Sequence, residues 1–378
     1  MNKSIYILFY LMLFISCKKQ QETKHEEINT SKNSKIEYAK GFDISYQEGY
    51  KIITLKNAWP GTKKVFKYAL IEEATILDFP EQYDAIVTIP IKNIVVTSTT
   101  HIPSLEMLAV DQTLIGFPNL DYISSKKTRE RINKGLIKEL GKNEDINTES
   151  LIELSPDVVI GFAVDGNNKT FNTLKKTGIP VLYNGDWTET SPLGKAEWIK
   201  FFAAFYNKEG LANKLFSEIK TAYLNAKKIA LKAKKKPTVL SGAMYKDIWY
   251  LPQGKSWAAQ FIADANGKYL WSDSEGTGSH SLNLESVLEK GEQAQFWIGP
   301  SYYTTMKQLK EAHAVYKQFD AFKNNQVYSF THKVGDTGGL LYFELAPNRP
   351  DIVIKDIIKI LHPELLPNHN LYFFDQLK

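Results

Sequence analysis

The sequence has one cysteine in 378 residues, so no internal disulfide framework is possible and no thiolate set exists to ligate a metal or cluster. It has seven histidines, none in an HxH or HxxxH pair that would anchor a bare metal ion. Net charge is only +5, and most lysines fall in helix-like stretches such as "KKIALKAKKK" (227–236), which reads as a solvated helix face and argues against nucleic acid as a partner. No nucleophile elbow and no paired catalytic carboxylates occur, so an enzyme is not expected. The apolar run Ile5–Ile15 is too short to span a bilayer and suits the hydrophobic region of a signal peptide.

What is present begins at that run. It ends Ser16-Cys17, which resembles a bacterial lipobox, with Phe14 in place of the usual leucine. Cys17 is the expected lipidation site and residues 1–16 the signal. Several acyl chains on one residue exceed the two-signal requirement for stable anchoring. Residues 17–38, polar at first and without aromatics up to Ser34, read as a flexible tether. The basic residues directly after Cys17 favour the periplasmic side of a membrane over outer-surface exposure.

From Gly41 to Pro90, short alternating runs broken by glycine and proline predict hairpin-like strands. Strand and helix then alternate. "NIVVTST" (93–99), "TLIGF" (113–117), "DVVIGF" (157–162) and "IPVLYN" (179–184) read as buried strands with helices between them. "PLGKAEWIKFFAAFY" predicts one helix, and 211–234 a second about 36 Å long. The alternation resumes from "TVLSGAMY" (238–245) and closes on a helix at "RPDIVIKDIIKIL". The expected fold class is α/β. Two Rossmann-like lobes, each a parallel sheet flanked by helices, are joined by a single long helix and preceded by a β-hairpin extension. The expected boundaries are an N-terminal lobe with its extension at 39–193, linking helices at 194–236 and a C-terminal lobe at 237–378.

One heptad occurs twice: "NTESLIE" at 147–153 and "NLESVLE" at 283–289, each heading the helix before a core strand. With "RINKGLIKELGKNEDINTESLIELSPDVVIGF" (131–162), "GSHSLNLESVLEKGEQAQFWI" (278–298), "GKSWAAQFIADANG" and "RPDIVIKDIIKILHPEL", the chain resembles, over about residues 90–378, a group of ABC-transporter substrate-binding proteins. This is the long-helix-linked branch that binds ferric siderophores, cobalamin and haem. The resemblance implies a glutamate at the head of one helix in each lobe, docking on the two subunits of a permease dimer that carries its ATPase subunits. By position these are Glu149 and Glu285. The residue-level alternative is an acid favoured by the helix dipole, which does not account for the shared heptad.

Ligands of open α/β lobes collect beyond the carboxyl ends of the strands. Thr99, Thr100, Phe117, Asn119, Asp186, Tyr303 and Asp336 lie there. So do the candidate contacts His101, Tyr122, Phe162, Asp165, Trp187, Tyr245, Trp249, Tyr250, Ser279, His280, Tyr302 and His332. The Gly-rich segment 335–351 reads as a rim loop over the ligand, from which Arg349 is placed to meet an anionic chelate or to cap local structure. Aromatic walls suit bulky metal chelates: a ferric siderophore, a corrinoid or haem. Where cobalamin-binding relatives carry tryptophan platforms, this chain has Asn143 and Ser279, which shifts the expectation toward a ferric siderophore. No cofactor and no metal-ligating residues are assigned; a bare metal ion as cargo, and capture of ligand for another protein instead of transport, are the alternative readings.

Overall fold

A computed structural model describes residues 33–73, 82–166 and 168–378. Residues 1–32, with the predicted signal segment and Cys17, lie outside the described residues.

The extension is a four-stranded sheet, β1 (Phe42–Gln47), β2 (Tyr50–Leu55), β3 (Phe66–Glu72) and β4 (Ala85–Ile89) in that order. β1–β3 are antiparallel as hairpin signals predict, but β4 pairs parallel to β3, so the expected run of hairpins is corrected there. Phe42, Ile53, Leu55, Phe66 and Tyr68 share one apolar core with the N-lobe, and the Tyr68 hydroxyl accepts from Tyr183 N–H at 3.0 Å. The extension thus enlarges the N-lobe core.

The N-lobe sheet consists of β5 (Ile94–Val96), β6 (Leu114–Phe117), β7 (Lys138–Glu139), β10 (Val158–Gly161) and β11 (Val181–Tyr183), all parallel, ordered β11-β10-β5-β6-β7. "IVV", "VVIG" and "VLY" are buried throughout, as strands covered on both faces must be. A two-stranded ribbon, β8 (Gly141–Lys142) with β9 (Asp145–Ile146), precedes the helix Thr148–Leu154.

The stretch 192–206 forms two short helices, Pro192–Ala196 and Ile199–Ala204, where one was expected. Between them the chain tightens to three-residue hydrogen bonds, Trp198 N to Lys195 O and Phe201 N to Trp198 O. The turn aims Glu197 at the incoming chain. Its buried carboxylate accepts from the backbone N–H of Glu37, Tyr38 and Ala39 and from Lys200 Nζ (2.7 Å). Glu189 accepts likewise from Lys40 and Gly41 N–H. Ser34 is buried, its hydroxyl bonded to Asn213 at 2.9 Å. The predicted flexible tether therefore ends before Ser34, because buried acceptors claim the backbone from there onward. Glu197→Ala would leave three N–H groups without their acceptor and the buried Lys200 ammonium with the Lys35 carbonyl but no counter-charge. Such losses cost about 3–5 kcal/mol, and the urea midpoint of unfolding should fall accordingly. An unchanged midpoint contradicts this reading.

The linking helix runs Glu209–Ala230, 22 residues or about 33 Å, ending four residues before the expected limit. The C-lobe sheet is ordered β15-β12-β17-β18-β19 from β12 (Thr238–Ser241), β15 (Lys268–Tyr269), β17 (Phe296–Ile298), β18 (Val327–Ser329) and β19 (Asp375–Gln376), parallel except at β19. The single strand expected at 238–245 is interrupted. Gly242 has φ +75°, and a Cβ there would sit 1.9 Å from the Tyr250 carbonyl oxygen. The chain turns out of the sheet into β13 (Ala243–Tyr245), which joins β14 (Ile248–Pro252) and β16 (Ser279–Leu282) in an antiparallel sheet. β16 leads directly into the helix Leu284–Gly291.

Candidate functional site: the cleft between the lobes

The carboxyl ends of three N-lobe strands form one wall of a cleft of about 760 Å³. β5 contributes Thr97, Ser98 and Thr99; β6 contributes Phe117, Pro118 and Asn119; β10 contributes Phe162. The Phe162 N–H donates to Thr97 Oγ1 at 3.3 Å, which joins two strand ends into one polar floor. Glu139 positions the rest of this wall. Its carboxylate accepts from the N–H groups of Asn119, Leu120 and Gly141 at 2.8–3.0 Å. This clasps the loop carrying Tyr122 to the ribbon carrying Lys142, Asn143 and Glu144, all four of which line the cleft.

The facing wall comes from the C-lobe: Tyr302 after β17, and Gly338, Gly339, Leu340 and Phe343 from the rim loop and the short helix Leu341–Leu345. Tyr122 and Tyr302 are 64% and 74% exposed and Phe343 is 47% exposed, so aromatic surface is left to solvent on both walls. Large apolar groups held open to water inside a concavity mark a binding site.

Between cleft and linking helices the lobes are tied by hydrogen bonds. Asn348 donates to Thr100 O (2.9 Å) and accepts from Ser104 Oγ (2.8 Å). The Thr337 hydroxyl donates to Asp121 O at 2.7 Å. Glu344 accepts from the N–H of Ser124 (2.6 Å) and Ser125 (2.9 Å). Burial pushes the Glu344 carboxyl up to about 7; its two N–H donors oppose the rise, and nearby Glu106 adds to it. Gly339 permits the approach, since a Cβ there would lie 2.2 Å from the Tyr122 carbonyl oxygen. Lys195 is buried beneath this seam, donating to the carbonyls of Asp186 and Trp187 and lying 5.4 Å from the Trp257 ring centre. Burial lowers its pKa, against the pull of Asp186 and Glu189.

Of the candidate ligand contacts, the structure brings Tyr122, Phe162 and Tyr302 together in the cleft, with Thr99, Phe117 and Asn119. Several others are corrected. His101 is fully buried, tilted against Phe202, with burial lowering its pKa, because residues 101–107 fold inward as a helix. Trp249 is fully buried and stacks on Trp297 at 5.4 Å, because it takes the inner face of β14. Arg349 spends its guanidinium on both oxygens of Asp351, each at 2.9 Å, which is the local capping alternative. Tyr245, Tyr250, Ser279 and His280 lie in the antiparallel β13–β14–β16 sheet, and they do not line the cleft. Asp165, Trp187 and His332 are exposed residues outside the cleft lining.

Sequence reasoning missed Thr97, Ser98, Lys142, Glu144 and Phe343. "GKNED", with the two-residue turn Asn143-Glu144 after a strand opened by Gly141 (φ +83°), was the available signal for the ribbon. Among the described residues, no group of three or more His, Cys, Asp or Glu could hold a metal ion.

Glu149 and Glu285 are exposed in matching settings. Asn147 Oδ1 accepts from Ser150 N–H at 3.0 Å, and Asn283 Oδ1 from Ser286 N–H at 2.8 Å, each capping the helix whose first turn carries the glutamate.

The periplasmic binding protein profile matches residues 94–334, both lobes and the helix between them. The chain belongs to the periplasmic binding protein family. An uncharacterized lipoprotein of Methanocaldococcus jannaschii is 30% identical to this periplasmic binding protein over 298 residues, covering 76% of this chain and 69% of the relative. Two solved structures share its fold. One, described as a possible iron-binding (periplasmic solute-binding) protein from Staphylococcus epidermidis, has a TM-score of 0.57 at 18% identity, covering 72% of this chain and 99% of the other. The periplasmic vitamin B12 binding protein of Vibrio cholerae has a TM-score of 0.52 at 14% identity, covering 74% and 99%. Among the described residues, no helix of this periplasmic binding protein is long and apolar enough to cross a membrane.

Proposed function

We propose that the chain is the lipid-anchored substrate-binding protein of an ABC importer, holding a metal chelate between its lobes, a ferric siderophore ahead of a corrinoid or haem. The observation that carries this reading is the pair Tyr122 and Tyr302, both largely exposed, on opposite walls of a 760 Å³ cleft with a hydroxyl-rich floor. A flat or bulky chelate would bury both rings, while Thr97, Ser98, Thr99, Asn119 and Asn143 meet its polar atoms. A bare ion suits the site poorly, since the lining contains one carboxylate, Glu144, and no histidine. A corrinoid is disfavoured by Asn143, which lines the cleft where the resemblance implies a tryptophan platform. Names of similar proteins agree: one is described as a possible iron binder, another binds vitamin B12.

Delivery follows the family's logic. Lipid at Cys17 would hold the protein on the periplasmic side of a membrane, in keeping with the lipoprotein relative. Glu149 and Glu285 would dock on the permease dimer. A 22-residue linking helix and a hydrogen-bonded seam favour small closure over a wide hinge swing.

Protein purified from its native membrane fraction should carry an iron chelate detectable by visible absorbance and native mass spectrometry. Tyr122→Ala with Tyr302→Ala should lower the loaded fraction at least about tenfold, given two lost ring contacts. Co-purification of a peptide, a sugar or a bare ion would refute the reading.

A further inference from the structure

Phe343 belongs to two concavities. Its second is a pocket of about 210 Å³ on the C-lobe side. This pocket lies at the carboxyl ends of β12, β17 and β18, the C-lobe counterpart of the strand ends that floor the cleft in the N-lobe. Its walls are aromatic: Trp257, Phe261, Phe330, Tyr342 and Phe374, with Phe343 shared. The Ser241 hydroxyl in its lining is already spent on Ile298 O at 2.7 Å. The cleft wall opposite carries the hydroxyl and amide side chains Thr97, Ser98, Thr99, Asn119 and Asn143, whereas the pocket's side chains are mostly aromatic and aliphatic.

Phe343 is the unexplained piece. It packs edge-on against Phe330 (5.4 Å) and Tyr342 (5.9 Å), yet stays 47% exposed. A half-exposed phenylalanine that lines both an open cleft and an aromatic pocket stands where the two spaces adjoin. Its neighbour Glu344 anchors the backbone to the N-lobe, so the ring can move while the helix stays docked.

We infer that the C-lobe pocket is a subsite for an apolar group carried by the cleft's ligand, an aromatic ring or a branched aliphatic arm. This inference rests on the reading that the cleft holds a chelate, and it narrows the cargo to amphiphilic chelates. The size fits, since an apolar cavity of about 150 Å³ takes one benzene. The lining offers such a ring edge and face contacts, with the Tyr342 hydroxyl and the Trp257 indole N–H as its side-chain polar groups beside the Ser241 hydroxyl.

Two titrations test it. The first uses toluene, read at the isoleucine methyl resonances of Ile262, Ile298 and Ile357 in the pocket, with Ile94 and Ile160 of the N-lobe sheet as controls. Saturable shifts are expected at the pocket methyls alone. Ala258→Phe, which fills the pocket, should weaken them about tenfold while the control resonances keep their native positions. Phe343→Ala, at a half-exposed site that tolerates truncation, should tighten toluene binding severalfold. No saturable shift in wild type and in Phe343→Ala, or the same shifts surviving in Ala258→Phe, overturns the subsite.

The second compares ferric tris(benzohydroxamate) with ferric tris(acetohydroxamate), the same iron-binding groups with and without a ring. The aryl chelate should bind about tenfold tighter, the effect of taking one ring out of water, and lose that advantage in Ala258→Phe. Equal binding of both chelates would sink the subsite and leave the transport reading standing. Toluene binding with no affinity for either chelate would count against the chelate reading and overturn the subsite's role with it, leaving only an apolar pocket.

Discussion

Glu149→Arg combined with Glu285→Arg should reduce stimulation of the cognate importer's ATPase to the ligand-free baseline. Cargo affinity should stay within about twofold, because neither glutamate lines the cleft. Both side chains are exposed at the start of a capped helix, which presents the carboxylate without costing the fold. A charge pair desolvated at an interface loses about 2–5 kcal/mol when one partner is removed, and reversal adds repulsion. Two such losses exceed what a transient contact of micromolar affinity has to spare. Single variants should each retain partial stimulation, since a two-subunit permease docked through both glutamates would still be held at one point. Full stimulation by the double variant would refute docking through these residues and leave helix-dipole stabilisation as their role.

The second large effect concerns pH. Glu344 has a folded-state pKa of about 7 against an ordinary value of 4.5, so between these limits the native protein holds a proton that the unfolded chain has released. Stability from this residue is therefore full below about pH 4.5 and falls as pH rises toward 7, by a total on the order of 3 kcal/mol. His101 acts oppositely. Its pKa is lowered by burial, so its contribution is lost as pH falls below the ordinary histidine range. The wild-type profile mixes the two, and Glu344→Gln separates them. Urea midpoints taken at pH 5 and pH 8 should fall across this interval by more in wild type than in Glu344→Gln. Parallel midpoints in the two proteins would contradict the assignment. Because Glu344 holds Ser124 and Ser125 of the opposite lobe, cargo affinity should change over the same interval.

Local pattern carried much of the architecture. Continuous apolar runs at 94–96, 158–161 and 181–183 could only be strands covered on both faces, and the uninterrupted stretch after residue 209 could only be a long helix. The duplicated heptad marks the two-lobe repetition in the sequence itself. What escaped is what depends on distant partners. Trp249 reads as a candidate ligand contact from its place near a strand end, but Trp297, 48 positions on, claims its face. For Arg349 the sequence left a chelate contact and local capping both open, and the bidentate pair with Asp351 across Pro350 is the local one. The break at Trp198 follows from acceptors reaching back to residues 37–41, about 150 positions away. Gly242 forces a turn only because the Tyr250 carbonyl stands beside it. In the cleft, strand-end logic found Thr99, Phe117, Asn119, Tyr122, Phe162 and Tyr302. Lys142 and Phe343 needed the ribbon and the docked rim loop, neither of which has a periodicity to read.

Anomalous diffraction at the iron and cobalt edges, from crystals of protein carrying its native cargo, tests the cleft most directly. The account predicts one metal peak between Tyr122 and Tyr302, enclosed by chelate density. A metal ligated by three or more protein side chains, or cargo seated outside the cleft, would contradict it.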